Sequence, residues 1–358
     1  MGRRSQSLVN TKSRSGIDVF LGIFNSKTAD IGRFLAASTI FYFHVGLFLS
    51  LPYSQWGEQA VEYFVILAGI SYVAFSRSKP AGPAQYFNYS LKRAASQFPA
   101  FFIVNLGLYV ASYLHSSLLG RPYRFTEFLA SATGISMYLD WKYMSTVMWF
   151  MPFIIQVYLL LPLLDWVAQR VHPVVLMLCA VGISFLIAQP TPPFIHAGTE
   201  AMMYRKNWSP LFRLPEVCAG VILGRIVLTR QGLWPGVGAV AVYGLFSWLT
   251  THVLPTLDPQ NLYYMPWSGF WVPGLLFGIS ALAGLFLRDG KAALLRVLNP
   301  AAFAFYLIQA APMAALTHRF SGNAVVWIFY FVLCWVAAAA IAFLPARAMR
   351  ILRGRTPP

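Results

Sequence analysis

Acidic residues are scarce in this chain: 11 Asp and Glu stand against 27 Lys and Arg, and charged residues of both signs make up only 11% of its 358 positions. With 58% apolar residues and a mean hydropathy of +0.60, so little charge excludes a disordered chain and argues against an ordinary soluble domain. Cysteine is nearly missing as well. Cys179, Cys218 and Cys334 lie inside apolar runs without C-x-x-C spacing, so neither a disulfide framework nor a zinc site is indicated, and they read as small buried apolar residues. There is no H-E-x-x-H, no G-x-S-x-G and no phosphate-cradling glycine loop, and no metal is expected. Residues 1–26 carry Arg3, Arg4, Lys12 and Arg14 but no apolar core followed by a small-residue cleavage site, which reads as a basic cytoplasmic tail rather than a cleaved signal peptide. Gln6 stands where a myristoylation start would want Ser or Thr.

What fills the chain instead is apolar sequence in lengths that suit a bilayer. A transmembrane helix needs roughly 20 apolar residues. Windows bounded by charge, proline and polar clusters predict about ten helices, at 31–51, 59–76, 95–115, 146–167, 173–189, 210–229, 235–255, 267–287, 298–317 and 324–345. The expected fold is all-α, a polytopic integral membrane helix bundle with both termini cytoplasmic. With the N-terminus inside, 20 of the 27 Lys and Arg fall on the cytoplasmic side and 7 on the other, as the positive-inside rule demands. The net charge of +16 then reflects orientation and needs no nucleic acid to explain it. The division is a basic tail over 1–26, a membrane domain over 27–346 and a second basic tail over 347–358. The connections at 116–145 and 190–209 are longer than a hairpin requires and suggest an outer lid or binding surface, the first with a short amphipathic helix around Phe125–Tyr138. The loop Pro255–Pro266, with Tyr263, Tyr264 and then Trp267 and Trp271, reads as an interfacial aromatic belt or a sugar-stacking surface.

Few residues in such a chain can carry chemistry. Arg33 and His44 lie eleven steps apart in the first helix, and at about 100° per step they return to one face, about 16 Å apart along the axis. Arg33 at the cytoplasmic boundary then puts His44 near the middle of a layer roughly 30 Å thick. Alone, Arg33 reads as an interfacial arginine reaching to headgroups. An imidazole at depth is a functional candidate, because hydrocarbon offers no water to satisfy it. Glu62 and Glu216 are the other acids in or near spans, and a carboxylate there can orient an imidazole, hold a sugar hydroxyl, or pair locally, as Glu216 can with Arg213 at i, i+3. Lys92 and Arg93 precede the third helix, either as a grip on a cytosolic polyanion or as one more positive-inside cluster. His115, His172, His196, His252 and His318 map to span ends or loops.

These motifs resemble the membrane-bound acyltransferase-3 family, the multi-helix O-acyltransferases of bacterial surface and exported polysaccharides. The strongest mark is Arg33-x10-His44. It is joined by FVILAGI at Phe64–Ile70, LKRAASQFP at Leu91–Pro99, WFMPFIIQVYLLLPLL at Trp149–Leu164, RLPEVCAGVILGR from Arg213, and NPAAFAFYLIQ ending at Gln309. Three positions depart from the family pattern: Ala68 stands for the usual serine, Ser96 for the second arginine of RxxR, and Gln309 for a late histidine.

The resemblance implies transfer of an acyl group, usually acetyl, from cytoplasmic acetyl-CoA to a sugar hydroxyl of a polysaccharide or lipid-linked oligosaccharide. On that implication Arg33, Lys92 and Arg93 bind the donor's phosphates or carbonyls, while His44 and Glu216 are the catalytic pair. His44 has the pKa range of a general base, and a nucleophilic role that forms an acyl-enzyme stays open beside it. The expected partners are acyl-CoA, the acceptor sugar, membrane lipids and other polysaccharide assembly proteins, with no nucleic acid, in a bacterial inner membrane. The rival reading from another class is a glycolipid or acyl-carrier transporter, although no matching pair of Gly/Pro-broken helices points to inverted repeats.

Overall fold

The computed structural model describes residues 26–51, 59–75, 83–114, 122–134, 146–188, 209–229, 232–252, 271–286, 301–309 and 323–352, together with residues 57, 313 and 316. Eleven helices are found among the described residues: α1 Ser26–Leu49, α2 Ala60–Ile70, α3 Pro83–Leu114, α4 Phe125–Thr133, α5 Phe150–Ala168, α6 Pro173–Ala188, α7 Leu214–Thr229, α8 Leu233–His252, α9 Trp271–Phe286, α10 over 301–308, and α11 Ala324–Leu352. A π-helical turn, Ser71–Phe75, extends α2, and a 3-10 turn, Thr146–Trp149, leads into α5.

Each of the ten predicted windows overlaps one of these helices. The differences lie at the ends. α3 starts at Pro83, ahead of the predicted 95, because the polar sequence before the apolar run is itself helical; Leu91, Lys92 and Arg93 are all exposed. α11 runs to Leu352, so the basic stretch from 347 begins as helix; Ala, Arg, Met and Leu are all strong helix formers. The short amphipathic helix is α4, ended by Gly134 in the left-handed region at φ 76° and started by a bond from the Arg124 backbone N–H to the Glu127 carboxylate at 2.8 Å. The connection at 190–208, Tyr263, Tyr264 and Trp267, and residues 1–25 lie outside the described residues.

Three helices are long and apolar enough to cross a membrane, over Asn88–Leu114, Phe150–Ala168 and Ala324–Phe343. Four shorter apolar helices accompany them, over Ala60–Ala74, Pro173–Ile187, Leu233–Leu249 and Val272–Phe286. The chain is thus an all-helical membrane protein with several candidate spans. α6, with no charged residue, shows why such segments are helical here: in hydrocarbon every backbone polar group must be satisfied within its own segment.

The bundle is organised around α2, whose residues are nearly all buried. α7 packs against it with its chain running the same way, Gly220 against Ile66 and Gly224 against Ile70 and Val73. A Cβ added to Gly69 would lie 2.7 Å from the carbonyl carbon of Gly220, and one added to Gly220 would overlap the Ile66 carbonyl. Small residues let the two backbones meet where a larger side chain would hold them apart. α1 approaches on another side of α2, where a Cβ on Gly32 would overlap the Tyr63 hydroxyl. Elsewhere polar pairs fix neighbours. Ser131 of α4 donates to Asn105 of α3 at 2.6 Å, Ser90 donates to the Tyr158 carbonyl at 2.7 Å, and Arg225 of α7 pairs with the buried Asp165 of α5 at 2.7 Å.

Gly220→Leu is expected to lower the melting temperature of the detergent-purified protein, at a cost of about 3 kcal/mol or more for forcing a side chain into closed space. Gly107→Leu, at a glycine whose Cβ would meet open space, should leave it unchanged or raised. Equal melting of the two variants would remove the α2–α7 contact from its central place.

Candidate functional site

The site builds from the end of α1 that carries Arg33. The Arg33 Nη1 donates to Asp30 at 2.9 Å, one turn back on its own helix, and Nη2 reaches the Ser71 hydroxyl at 3.4 Å. Ser71 begins the π-helical turn, and the wider turn ends the regular winding of α2 at the residue that meets the guanidinium. The arginine is held from two helices while a quarter of its side chain stays exposed.

A cavity of about 240 Å³ opens beside it. Arg33, Ser71, Tyr89, Arg93, Gln97 and Tyr158 supply its polar lining, and Phe64, Phe150, Phe303 and Tyr306 supply an aromatic wall. Arg93 comes from α3, its Nε bonded to the Tyr89 hydroxyl at 3.2 Å and its guanidinium 5.6 Å from the Tyr89 ring centre. Two cations distant in sequence thus share one cavity with an apolar floor. That combination suits a ligand with an anionic head and an apolar or extended tail.

The sequence-derived candidates divide around this cavity. Arg33 and Arg93 line it. Lys92 is exposed and does not, because neighbouring residues of a helix point about 100° apart. Ala68, where the family pattern has serine, lines the wall, and Ser96 turns its hydroxyl to the Arg93 carbonyl at 2.7 Å. His44 lies about 16 Å further along α1. Its ring is partly buried and sits against the Ile40 backbone one turn back.

Glu216 sits elsewhere. It is fully buried on α7, 3.9 Å from the Arg213 guanidinium, which in turn lies over the Trp149 and Phe153 rings at 5.7 and 5.9 Å. Glu62 of α2 and Tyr243 of α8 join this group, the tyrosine hydroxyl close to both carboxylates. The parallel α2–α7 contact dictates the meeting: Ile66 opposite Gly220 puts Glu62 opposite Glu216 one turn earlier. Arg213 appeared in the sequence only as a local partner of Glu216. Tyr243, Tyr89, Tyr158 and Asp165 gave no local signal, since each gains its meaning from a helix far away in the chain. No cluster of three or more metal-ligating side chains occurs among the described residues.

A family model described as an acyltransferase domain matches residues 27–347. No match is found among curated proteins, nor among solved structures. The model spans nearly the whole chain, including Arg33, His44, the cavity and the buried carboxylates, and it sides with an enzyme over a transporter. The chain belongs to the acyltransferase-3 family and is a membrane acyltransferase.

Proposed function

We propose that the enzyme moves an acetyl group from acetyl-CoA, bound from the cytoplasmic side, to a hydroxyl of a surface or exported polysaccharide or its lipid-linked precursor. The observation that carries this reading is the pairing of Arg33 and Arg93 in one cavity whose remaining wall is aromatic. The arginines meet phosphate oxygens of the donor, with bidentate geometry available to each guanidinium. The apolar wall takes the extended arm that ends in the thioester. From Arg33, the face of α1 leads inward to His44.

His44 acts as the general base in this reading. Its imidazole removes the proton of the attacking sugar hydroxyl as the oxygen joins the thioester carbonyl carbon. When the tetrahedral intermediate collapses, the carbon–sulfur bond breaks and the imidazolium returns that proton to the departing thiolate, leaving an ester and free CoA. Glu216 enters as a positioning residue. It holds Arg213 against Trp149, the residue before the cavity-lining Phe150. Lys92 contributes attraction at the entrance rather than a direct contact. We place the enzyme in a bacterial inner membrane with ten spans and both termini cytoplasmic, residues 27–346 forming the membrane domain between two basic tails. Its partners are the acceptor glycan, membrane lipids and other polysaccharide assembly proteins.

The test is the O-acetyl content of the host's exopolysaccharide, read by proton NMR in a deletion strain complemented at matched membrane expression. Wild type should restore acetylation. His44→Ala should lose it by about 100-fold or more, the typical contribution of a positioned base; acetylation by His44→Ala at the wild-type level would overturn the assignment. With purified enzyme, Arg93→Ala should raise KM for acetyl-CoA about tenfold, as expected for one lost charge-assisted contact, while Lys92→Ala stays within about twofold. Glu216→Gln should reduce kcat by about tenfold or less and lower the melting temperature together with it, a coupling not expected of His44→Ala. An unchanged melting temperature with activity abolished would move Glu216 into the chemistry itself.

A further inference from the structure

Beyond the donor cavity, three helices bring polar side chains to one level of the bundle. The level is fixed by aromatic contacts. Phe41 of α1 lies 5.9 Å from Phe305 of α10 and 5.8 and 5.1 Å from Tyr330 and Phe331 of α11, ring centre to ring centre. Nearer to Arg33, Trp335 packs on Phe34 at 4.9 Å and stacks on Phe305 at 4.2 Å. α1 and α10 therefore run in the same direction away from the donor cavity, and α11 runs against them. One turn past the Phe41 contact stand His44 on α1 and Gln309 just after the end of α10. One turn before Tyr330, α11 presents Trp327, whose ring lies 6.2 Å from that of Tyr330. The register is locked by the Tyr330 hydroxyl, which donates to the Gln309 backbone carbonyl at 2.6 Å.

Two of the three carry buried polar atoms without a hydrogen-bond partner among the described residues, both amide atoms of Gln309 and Nε1 of Trp327, while the His44 ring sits against the Ile40 backbone one turn back on its own helix. Gln309 is completely buried, and Trp327 is 7% exposed. Leaving such groups unsatisfied is costly, and proteins accept that cost where a ligand or water supplies the missing bonds. The set has a definite chemistry. Trp327 offers one N–H donor, Gln309 both donors and an acceptor, and His44 a ring nitrogen. The segments 41–49, 301–309 and 324–335 contain no Lys, Arg, Asp or Glu, so these three segments bring no charge with which to select an ion. A neutral group that donates and accepts at one oxygen fits it.

We propose that His44, Gln309 and Trp327 form the acceptor subsite, in which the Gln309 amide and the Trp327 N–H hold hydroxyls of a neutral sugar so that one of them reaches the His44 ring. The subsite rests on the acyl-transfer reading for the identity of its ligand. It adds that the acceptor is recognised at the end of α1 away from the donor cavity, by groups that contribute nothing to donor affinity.

The experiment uses the full-length enzyme in lipid nanodiscs, acetyl-CoA as donor and chemically de-O-acetylated host exopolysaccharide as acceptor. Both KM values are measured for Gln309→Leu, Gln309→Glu and Trp327→Phe, the last keeping an aromatic side chain while removing the indole N–H. The expected result is a rise of about tenfold in KM for the acceptor with KM for acetyl-CoA unchanged, the equivalent of one lost hydrogen bond. Trp327→Phe keeps an aromatic side chain in the core, and its melting temperature is measured alongside so that a folding defect is told apart from a lost contact. Unchanged acceptor KM in folded Gln309→Leu and Trp327→Phe would overturn the subsite, as would a parallel rise in KM for acetyl-CoA, which would mark these groups as binding the donor's own amides. His44→Ala separates the two ideas. If it abolishes transfer while the Gln309 and Trp327 variants are silent, the subsite fails and the acyl-transfer reading stands. If the variants shift acceptor KM while His44→Ala remains active, the subsite stands and His44 is removed as the base.

Discussion

The close approach of α2 and α7 is the constraint on which the arrangement depends. Gly69, Gly220 and Gly224 let two parallel backbones touch, and in hydrocarbon that contact replaces the hydrophobic driving force that packs helices in water. Its register has consequences in both directions along α2. Toward one end it sets Glu62 opposite Glu216, where Arg213 and Tyr243 complete a buried polar group. Toward the other it brings the π-helical turn and Ser71 to Arg33. The face of α2 that carries Phe64, Leu67 and Ala68 is left for the cavity beside Arg33. One helix therefore serves as the partition between the buried carboxylates and the cavity.

The division of labour between charged groups follows from solvation. Arg33 and Arg93 keep part of their surface open at the cavity, so they can exchange water for a ligand's phosphates at moderate cost. Arg213 is closed in with Glu216 and two aromatic rings, which suits a group that holds helices together. Asp165 and Arg225 make a second such link between α5 and α7. Gln309 and Trp327 are the contrasting case of buried polarity without internal compensation among the described residues. Position relative to water, more than residue type, separates the three behaviours.

Much of this was legible in the sequence, for physical reasons that can be named. Apolar runs located the helical segments, three of them long enough to span, because hydrocarbon forces each one to satisfy its own backbone. The eleven-residue spacing of Arg33 and His44 placed both on one face because helix geometry is rigid over that distance. The polar start of α3 was missed because an apolar window is blind to turns that emerge from the bilayer; α11 was cut short at 345 because charge was read as a terminator, although arginine is a good helix former. The site was legible only in part. Arg93 and Lys92 are equivalent as neighbours in a string, and only the orientation of α3 tells them apart. Gln309 stood out as a departure from a family pattern, but its burial and its level beside His44 depend on contacts among α1, α10 and α11, segments distant in the chain.

The same α2–α7 contact bears on how the protein is made. Ile66 leaves the ribosome well before Gly220, by roughly 8 to 30 s at about 5 to 20 residues per second. During that interval α2 has entered the membrane with the Glu62 carboxyl but without the backbone it fits or the residues that later surround it. A lone carboxyl in hydrocarbon is costly, so the nascent α2 is only weakly committed to its place until α7 and α8 arrive. Biogenesis thus has a late locking step, and lesions in α7 will be felt as loss of an already inserted α2, removed by quality control before any question of catalysis arises.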